Sequence, residues 1–126
     1  MAELRLYPRL YLNSSIQVAL EAGVERSALA VDPGIGFGKT VEHNLILLKN
    51  LAYFNDLECP IVIGASRKSF IGKLNNDIPA PKRLPGSLAA AILAVQNGAN
   101  IIRCHDVAET RQALDTARCI ETIKDG

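Results

Sequence analysis

The chain has 126 residues, of which 48% are hydrophobic and 21% are charged. These values are typical of one soluble globular domain, and no apolar run approaches the roughly 20 residues that span a bilayer. With 14 basic and 13 acidic residues, the formal net charge of +1 predicts no general attraction to nucleic acid or to an anionic membrane, so any anion must be bound by a local cluster.

The first half of the chain alternates between helical and strand-like patterns. Apolar spacing predicts a helix over residues 12–22, stopped at Gly23. The short apolar run at residues 28–31 predicts a buried strand, ended by Asp-Pro-Gly. Leucines at helical spacing predict a second helix over residues 41–54, with Thr40 as its N-terminal cap.

The second half repeats this alternation. The β-branched run at residues 60–64 predicts a strand, followed by a short helix over residues 68–74. Two prolines within residues 75–83 indicate a loop. A helix over residues 86–96, a strand over 100–104 and a helix over 108–123 complete the chain. This order is typical of βα units around a parallel sheet.

Each predicted strand ends in a polar or glycine-rich cluster. These clusters occupy residues 32–40, 64–68 and 103–106. Because the carboxyl ends of parallel strands face one way, and ligands bind there in open sheets and barrels alike, we expect the three clusters to form one site.

The first cluster reads Asp-Pro-Gly-Ile-Gly-Phe-Gly-Lys-Thr. Its glycines fit neither a P-loop, which needs glycines five positions apart, nor a dinucleotide fingerprint. Asp32 at a strand end can accept from a planar pair of donors, such as the amine and ring N–H of a guanine-like heterocycle. Phe37, flanked by glycines, suggests a lid or a stacking wall. The alternative is a flexible turn that Asp32 caps.

The second cluster leads from a strand directly into a helix start. The free N–H groups of this helix start, together with Ser66 or Ser69, make an anion site. Cations are unfavourable at this end of a helix dipole, which hints at function. The alternative is that Arg67 and Lys68 are solvated surface charges. We assign no role to His43, whose neighbours indicate a solvated face.

The third cluster reads Arg-Cys-His-Asp. Arg103 and His105 are two positions apart at a strand end, so we expect them on the same face, where both can bind phosphate. The alternative is a core histidine satisfied by Asp106. Cys104 faces the other side of a strand, so we expect it to be packed and inert.

The three cysteines are scattered and form neither a CxxC pair nor a metal-type spacing. An odd, scattered count is typical of a reducing compartment. The first residues also lack the basic stretch and apolar core of a secretory signal. We therefore expect a cytoplasmic protein.

Four stretches, in this order and spacing, resemble the dihydropteroate synthase family: DPGIGFGKT (32–40), GASRKSFIG (64–72), RLPGSLAAA (83–91) and GANIIRCHDVAET (98–110). The family has a (β/α)8 TIM-barrel fold with its active site at the strand C-termini. The resemblance implies an α/β fold in which residues 1–126 form the C-terminal part of a pterin-binding TIM-barrel domain. About the last three βα units, with parallel strands, are expected.

The family condenses p-aminobenzoate with 6-hydroxymethyl-7,8-dihydropterin diphosphate to give 7,8-dihydropteroate and pyrophosphate. This is a step of folate biosynthesis and a target of sulfonamides. The resemblance implies three groups of binding residues: Asp32 and Lys68 for the pterin; Arg103 and His105 for the diphosphate; and Phe37, Ser66 and Lys68 for p-aminobenzoate. We assign no nucleophile or base, because departure of diphosphate calls for preorganised cations. The family also implies Mg²⁺, but the early Asn that binds it is absent from this chain.

The family barrel has eight strands, whereas the pattern here predicts three. We therefore expect little synthase activity from this chain alone. The alternatives are a non-catalytic truncated remnant, or another pterin-binding enzyme such as a methyltetrahydrofolate-dependent methyltransferase, which would not call for a diphosphate site. Expected partners are the small-molecule substrates and either a second copy or the missing part of the barrel, because three strands leave two open sheet edges.

Overall fold

The computed structural model describes residues 2–126, with side chains described from residue 8 onward. Its helices and strands are α1 (Ala2–Glu21), α2 (Val41–Lys49), β1 (Val62–Ile63), α3 (Ser69–Leu74), α4 (Leu84–Gln96), β2 (Ile101–Ile102) and α5 (Val107–Thr122). Short 3-10 turns lie at Arg26–Ala28, Leu51–Leu57 and Ala80–Lys82. None of the described helices is long and apolar enough to cross a membrane.

Three parallel chain segments lie side by side. β1 and β2 pair in parallel, with Val62 opposite Ile101 and Ile63 opposite Ile102. On the other side of β1, Val31 forms a single parallel bridge with Ile61. The Asn100 side chain extends the β1–β2 pairing, because its Oδ1 accepts from the Ile61 amide at 2.9 Å. The α/β class and the parallel direction were both predicted.

The strand predicted over residues 28–31 is wrong except at its last residue. The amides of Ala28 and Leu29 donate to the carbonyls of Glu25 and Arg26, at 2.9 and 3.0 Å, within a 3-10 turn. Those local hydrogen bonds take the donors that a sheet would need. Only Val31 pairs with the segment that contains β1. Its amide donates to the Pro60 carbonyl, and its carbonyl accepts from the Val62 amide.

The first helix is longer than predicted. It begins at Ala2 instead of residue 12 and continues through Pro8. Its end is as predicted, because the Gly23 amide donates to Leu20 and the Val24 amide to Ala19, with Gly23 at a φ of 94°. This is a Schellman closure, which favours glycine at the left-handed position.

The second helix is shorter than predicted. It ends at Lys49 and passes into the 3-10 turn Leu51–Leu57. The Asn50 amide side chain donates to the Ile46 carbonyl at 2.8 Å, so a side chain competes with the helical backbone where the helix ends. The start is as predicted, since the Thr40 hydroxyl accepts from the His43 amide at 3.1 Å.

The later helices agree closely with the sequence patterns. α4 begins two residues earlier than predicted, with Pro85 in its first turn, where the missing N–H is not needed. The core lies between the parallel segments and the helices around them, and its most completely buried members are Ile35, Leu47, Leu51, Phe54, Ile61 and Ile63. This core holds the ends of the parallel segments, and therefore the loops that follow them, in place.

Candidate functional site

The loops that follow the three parallel segments meet at one end of the sheet. Asp32 follows the Val31 bridge, the loop of residues 64–68 follows β1, and Arg103 follows β2. The loops contact one another through Asp32 and Arg103, and through Ser66 and His105. The convergence expected from parallel topology is therefore present.

Asp32 and Arg103 bridge the two outer segments. One carboxylate oxygen of Asp32 accepts from the Gly34 amide at 2.8 Å, and the other lies 3.2 Å from Nη1 of Arg103. The Arg103 side chain is 58% exposed and that of Asp32 is 31% exposed. Both charges therefore remain accessible to solvent, and their surface ion pair contributes little to stability.

Gly64 makes room for Arg103. A Cβ added at Gly64 would lie 2.8 Å from both Cζ and Nε of Arg103, and closer still to Nη2. The guanidinium therefore lies flat over the backbone at the end of β1, where any larger residue would displace it. Sequence reasoning assigned Gly64 no individual role, although a glycine at the end of a β-branched strand was the available signal.

Lys68 reaches back to the glycine-rich loop. Its stem passes over Gly36, where an added Cβ would lie 2.8 Å from Cδ. Its ammonium donates to the Ile35 carbonyl and lies 4.7 Å from the centroid of the Phe37 ring, a cation–π distance. Burial lowers the pKa of Lys68, the charge of Arg103 lowers it further, and Asp32 opposes both.

Ser66 and His105 form a second cross-loop pair. The Ser66 hydroxyl lies 2.9 Å from Nδ1 of His105 and accepts from the His105 amide at 3.2 Å. A hydroxyl has one proton and two lone pairs, so it can accept the amide while it donates to Nδ1. In that arrangement Nε2 of His105 carries its proton and is free to donate to an anion.

A cavity of about 160 Å³ lies between these groups. Its lining residues are Gly64, Ser66, Lys68, Arg103, Cys104 and His105. Two cations, an imidazole and a hydroxyl around a small cavity form an arrangement suited to an anion rich in oxygen, such as a phosphate or diphosphate. Arg103 and His105, expected on the same face, both line this cavity.

Asp32, Lys68 and Arg103 lie close together in the structure. Ser66 and His105 form a second pair beside them. Phe37 contacts the group through Lys68 and is 70% exposed. Cys104, expected to be packed away, is half-buried and lines the cavity, because β2 ends at Ile102 and strand alternation no longer applies. The roles of these residues in binding stay predictions.

Two supporting side chains were not found from the sequence. Asn44, assigned to a solvated face, is 2% exposed, and its Oδ1 accepts from the Gly36 amide at 2.8 Å. Arg67, weighed as a solvated charge, makes two hydrogen bonds to Asp106 at 2.8 and 3.2 Å. Neither contact has a local sequence signal, because each joins segments that only the fold brings together.

Asp106 is engaged by Arg67 and not by His105. This pair lowers the pKa of Asp106 through the hydrogen bond from Arg67. The alternative of a core histidine satisfied by Asp106 is therefore not what the structure shows, since His105 is exposed and contacts Ser66.

In the part of the chain with described side chains, no three His, Cys, Asp or Glu residues come together as a metal site. The donor set of the loops does not fit Mg²⁺, so we derive no step through a metal ion.

The sequence pattern of one family, described as pterin binding enzyme, matches residues 9–105. The dihydropteroate synthase of Escherichia coli K12 is 44% identical over 115 residues, which are 91% of this chain and 40% of that protein. The dihydropteroate synthase of Haemophilus influenzae is 45% identical over 104 residues, or 82% of this chain and 38% of that protein. The chain thus spans about 40% of the length of these curated relatives.

Solved structures give the same likeness. The dihydropteroate synthase from Xanthomonas albilineans in complex with 7,8-dihydropteroate superposes with a TM-score of 0.94 at 35% identity, over 98% of this chain and 47% of that one. The Yersinia pestis dihydropteroate synthase with a sulfonamide drug complex gives a TM-score of 0.91 at 38% identity, over 96% of this chain and 44% of that one.

Proposed function

Because this chain belongs to the pterin-binding enzyme family, we propose that it carries the pterin- and diphosphate-binding part of a dihydropteroate synthase active site. The reaction joins p-aminobenzoate to 6-hydroxymethyl-7,8-dihydropterin diphosphate, giving 7,8-dihydropteroate and pyrophosphate. The observation that carries the proposal is the contact between Asp32 and Arg103, 3.2 Å apart, beside a cavity lined by Lys68, Ser66 and His105. It supports placing a planar heterocycle and an anion side by side.

The diphosphate is bound by Arg103 and His105 in this proposal. Cleavage of the C–O bond leaves negative charge on the departing diphosphate and positive charge on the pterin methylene. A guanidinium offers a planar pair of donors to phosphate oxygens, and the Nε2 proton of His105 adds a third. These groups are already in place before the reaction, so they stabilise the developing charge without reorganisation.

The pterin is bound by Asp32 and Lys68. The Asp32 carboxylate can accept from the amine and the ring N–H of the pterin, while Lys68 donates to its carbonyl edge. Binding requires Asp32 to exchange Arg103 for the pterin donors. Lys68 likewise exchanges the Ile35 carbonyl, to which it now donates, for the substrate. Both exchanges involve partly exposed groups and so cost little.

The p-aminobenzoate is bound by Phe37, Ser66 and Lys68. The exposed ring of Phe37 provides an apolar wall beside Lys68. The Ser66 hydroxyl has one proton, so on binding it exchanges Nδ1 of His105 for the benzoate carboxylate as its acceptor. An amine held near the pterin methylene attacks as the diphosphate leaves, so the chain needs no side-chain nucleophile. Positioning is then the main contribution, and it is worth up to about 7–11 kcal/mol of the barrier in well-oriented reactions.

The same proposal extends to architecture. The three parallel segments correspond to strands six to eight of an eight-stranded barrel, and residues 1–126 to its C-terminal part. We propose that the open sheet edges pair with a second copy or with the missing part of the barrel, that Mg²⁺ is bound by residues outside this chain, and that the protein is cytoplasmic. A methyltetrahydrofolate-dependent methyltransferase is a weaker alternative, because it has no use for the cations around the cavity.

Calorimetry with pyrophosphate tests the proposal. We expect the chain to bind pyrophosphate and Arg103→Ala to weaken binding by about 1.5–3 kcal/mol, the value of a charged hydrogen bond. Arg118→Ala, on the exposed side of α5, removes the same charge away from the cavity and should leave binding unchanged. Equal affinity in the wild type and Arg103→Ala would remove the diphosphate assignment.

A steady-state assay of dihydropteroate formation tests the activity. We expect little turnover from the chain alone, because only part of the pterin-binding set is present here, and turnover once the missing strands are supplied as a separate polypeptide or a fused segment. Absence of turnover with the missing strands in place would favour the non-catalytic alternative.

A further inference from the structure

Arg67 has an unusual backbone conformation between two residues of the cavity. Its φ is 57°, in the left-handed region that non-glycine residues adopt rarely and at a cost in free energy. Ser66 and Lys68 on either side both line the cavity, whereas Arg67 does not. The left-handed residue thus sets the turn that directs both neighbours to the same space.

Three groups on other elements hold Arg67 in this conformation. Its amide donates to Oγ of Ser87 at 2.9 Å, and its carbonyl accepts from Nη1 of Arg83 at 2.8 Å. Its guanidinium makes two hydrogen bonds to the Asp106 carboxylate, at 2.8 and 3.2 Å. The backbone donor, the backbone acceptor and the side chain are therefore all engaged.

The two supports at the start of α4 are themselves fixed. Ser87 is 7% exposed, and its hydroxyl donates to the Arg83 carbonyl at 2.8 Å. Arg83 packs against Gly72, where an added Cβ would lie 2.8 Å from Nε, and it also donates to the Ile78 carbonyl at 2.9 Å. The start of α4 is a rigid base for the turn at Arg67.

Asp106 connects the turn to the other loop of the site. It directly follows His105, and the pair with Arg67 ties the loop after β2 to the loop after β1. The contact between Ser66 and His105 spans the same two loops one residue earlier in each. The two pairs therefore form a double connection, of which only Ser66 and His105 face the cavity.

We propose that Arg67 and Asp106 are positioning residues that hold Ser66, Lys68 and His105 in their binding geometry without touching the substrate. This inference rests on the proposed function of the cavity. It predicts the opposite of what charge alone predicts for removal of the Asp106 carboxylate. By charge alone, removal of a negative charge beside an anion site should strengthen anion binding. Loss of positioning should instead weaken it.

The first measurement is pyrophosphate affinity in the whole chain. Asp106→Asn should bind pyrophosphate about tenfold more weakly, in line with the loss of a charge-assisted hydrogen bond. The matched control is Asp115→Asn, which removes the same charge from the exposed pair with Arg111 on α5, 3.3 Å apart. The control should bind as the wild type does. Unchanged or tighter binding by Asp106→Asn would overturn the proposal.

The second measurement needs no ligand. The chain has two histidines, so ¹⁵N spectra of labelled imidazoles resolve His105 from His43, which serves as an internal reference. Wild type and variants are compared in the same buffer at a single pH. In Asp106→Asn and in Arg67→Lys, the Nδ1 signal of His105 should move as its contact with Ser66 is lost, and His43 should not change. An unmoved His105 signal in both variants would overturn the proposal.

The two measurements separate the inference from the proposed function. Lack of pyrophosphate binding by the wild type, or equal binding by Arg103→Ala, contradicts the proposed function, and the ¹⁵N spectra then decide the positioning role alone. Binding that depends on Arg103 but not on Asp106 leaves the proposed function intact and refutes the positioning role. Far-ultraviolet circular dichroism confirms that each variant has the helix content of the wild type before either measurement.

Discussion

Replacement of Gly64 by alanine should displace the Arg103 side chain although Arg103 itself is not mutated. The added methyl group would lie 2.8 Å from Cζ and Nε of Arg103, closer than real Cβ atoms approach heavy atoms. Gly64 does not have a positive φ, so alanine strains no backbone there. The Arg103 side chain is long and 58% exposed, so it can move more easily than the backbone at the end of β1. The guanidinium should therefore leave its position over Gly64.

Two magnitudes follow from this geometry. The free energy of unfolding should change by less than about 0.5 kcal/mol, because only an exposed ion pair with Asp32 is lost. Pyrophosphate affinity should fall by about 1.5–3 kcal/mol, because a charged hydrogen bond to the anion is lost. Urea denaturation measures the first quantity and calorimetry the second. The prediction is therefore a loss of binding with stability retained.

A double-mutant cycle identifies the cause. If the methyl group acts through the guanidinium, Gly64→Ala should have no further effect on pyrophosphate affinity in the Arg103→Ala background. Additive losses would mean that the methyl group obstructs the cavity itself. Wild-type affinity in Gly64→Ala alone would show that Arg103 binds the anion from some other position, and the reasoning from the structure would be refuted.

Three further predictions concern stability and assembly. Asn44→Ala should lower the free energy of unfolding in urea by about 1–3 kcal/mol, because the buried amide no longer accepts from Gly36, and an unchanged value would refute this contact. Arg67 lowers the pKa of Asp106 in the folded chain. The stability that this carboxylate contributes is therefore complete above its pKa in the unfolded chain, about 3.9, and is lost as the pH falls through its lower pKa in the folded chain. The melting temperature should therefore drop as the pH falls below about 4, and by less in Asp106→Asn; equal drops would contradict the assignment. The open edge at β2, where Ile101 is 46% exposed, should cause association or marginal folding. Sedimentation should therefore show a mass that rises with protein concentration, and Ile101→Lys should reduce this association. A stable monomer at every concentration would refute the edge argument.

The alternation of elements was predictable because it depends on local patterns. Apolar spacing located α4 and α5 to within two residues, and Gly23 stops a helix as expected, at a φ of 94°. What the pattern could not reveal was competition from local hydrogen bonds. The 3-10 turn at Arg26–Ala28 reduced a predicted strand to one bridge, and the Asn50 side chain accompanied the early end of a helix.

The site residues at the strand ends were predictable for a different reason. Parallel topology requires the strand ends to converge, so Asp32, Lys68 and Arg103 could be grouped before any distance was known. The residues behind them could not. Asn44 and Arg67 act through contacts with partners 8 and 39 positions away, and no periodicity or spacing connects such pairs. Supporting contacts of this kind are visible only once the fold sets the distances.

The contact between Asp32 and Arg103 also has a geometric meaning for binding. The two residues follow the outer two of three parallel segments, and neighbouring strands are about 4.8 Å apart, so their backbones are separated by roughly 10 Å. Arg103 reaches Asp32 only because it crosses the backbone at Gly64, which has no side chain. A pterin diphosphate carries its ring donors and its anion at opposite ends. In the proposed complex Asp32 therefore binds one end of the substrate and Arg103 binds the other. Two stronger contacts then replace an exposed ion pair that is worth about 0–1 kcal/mol.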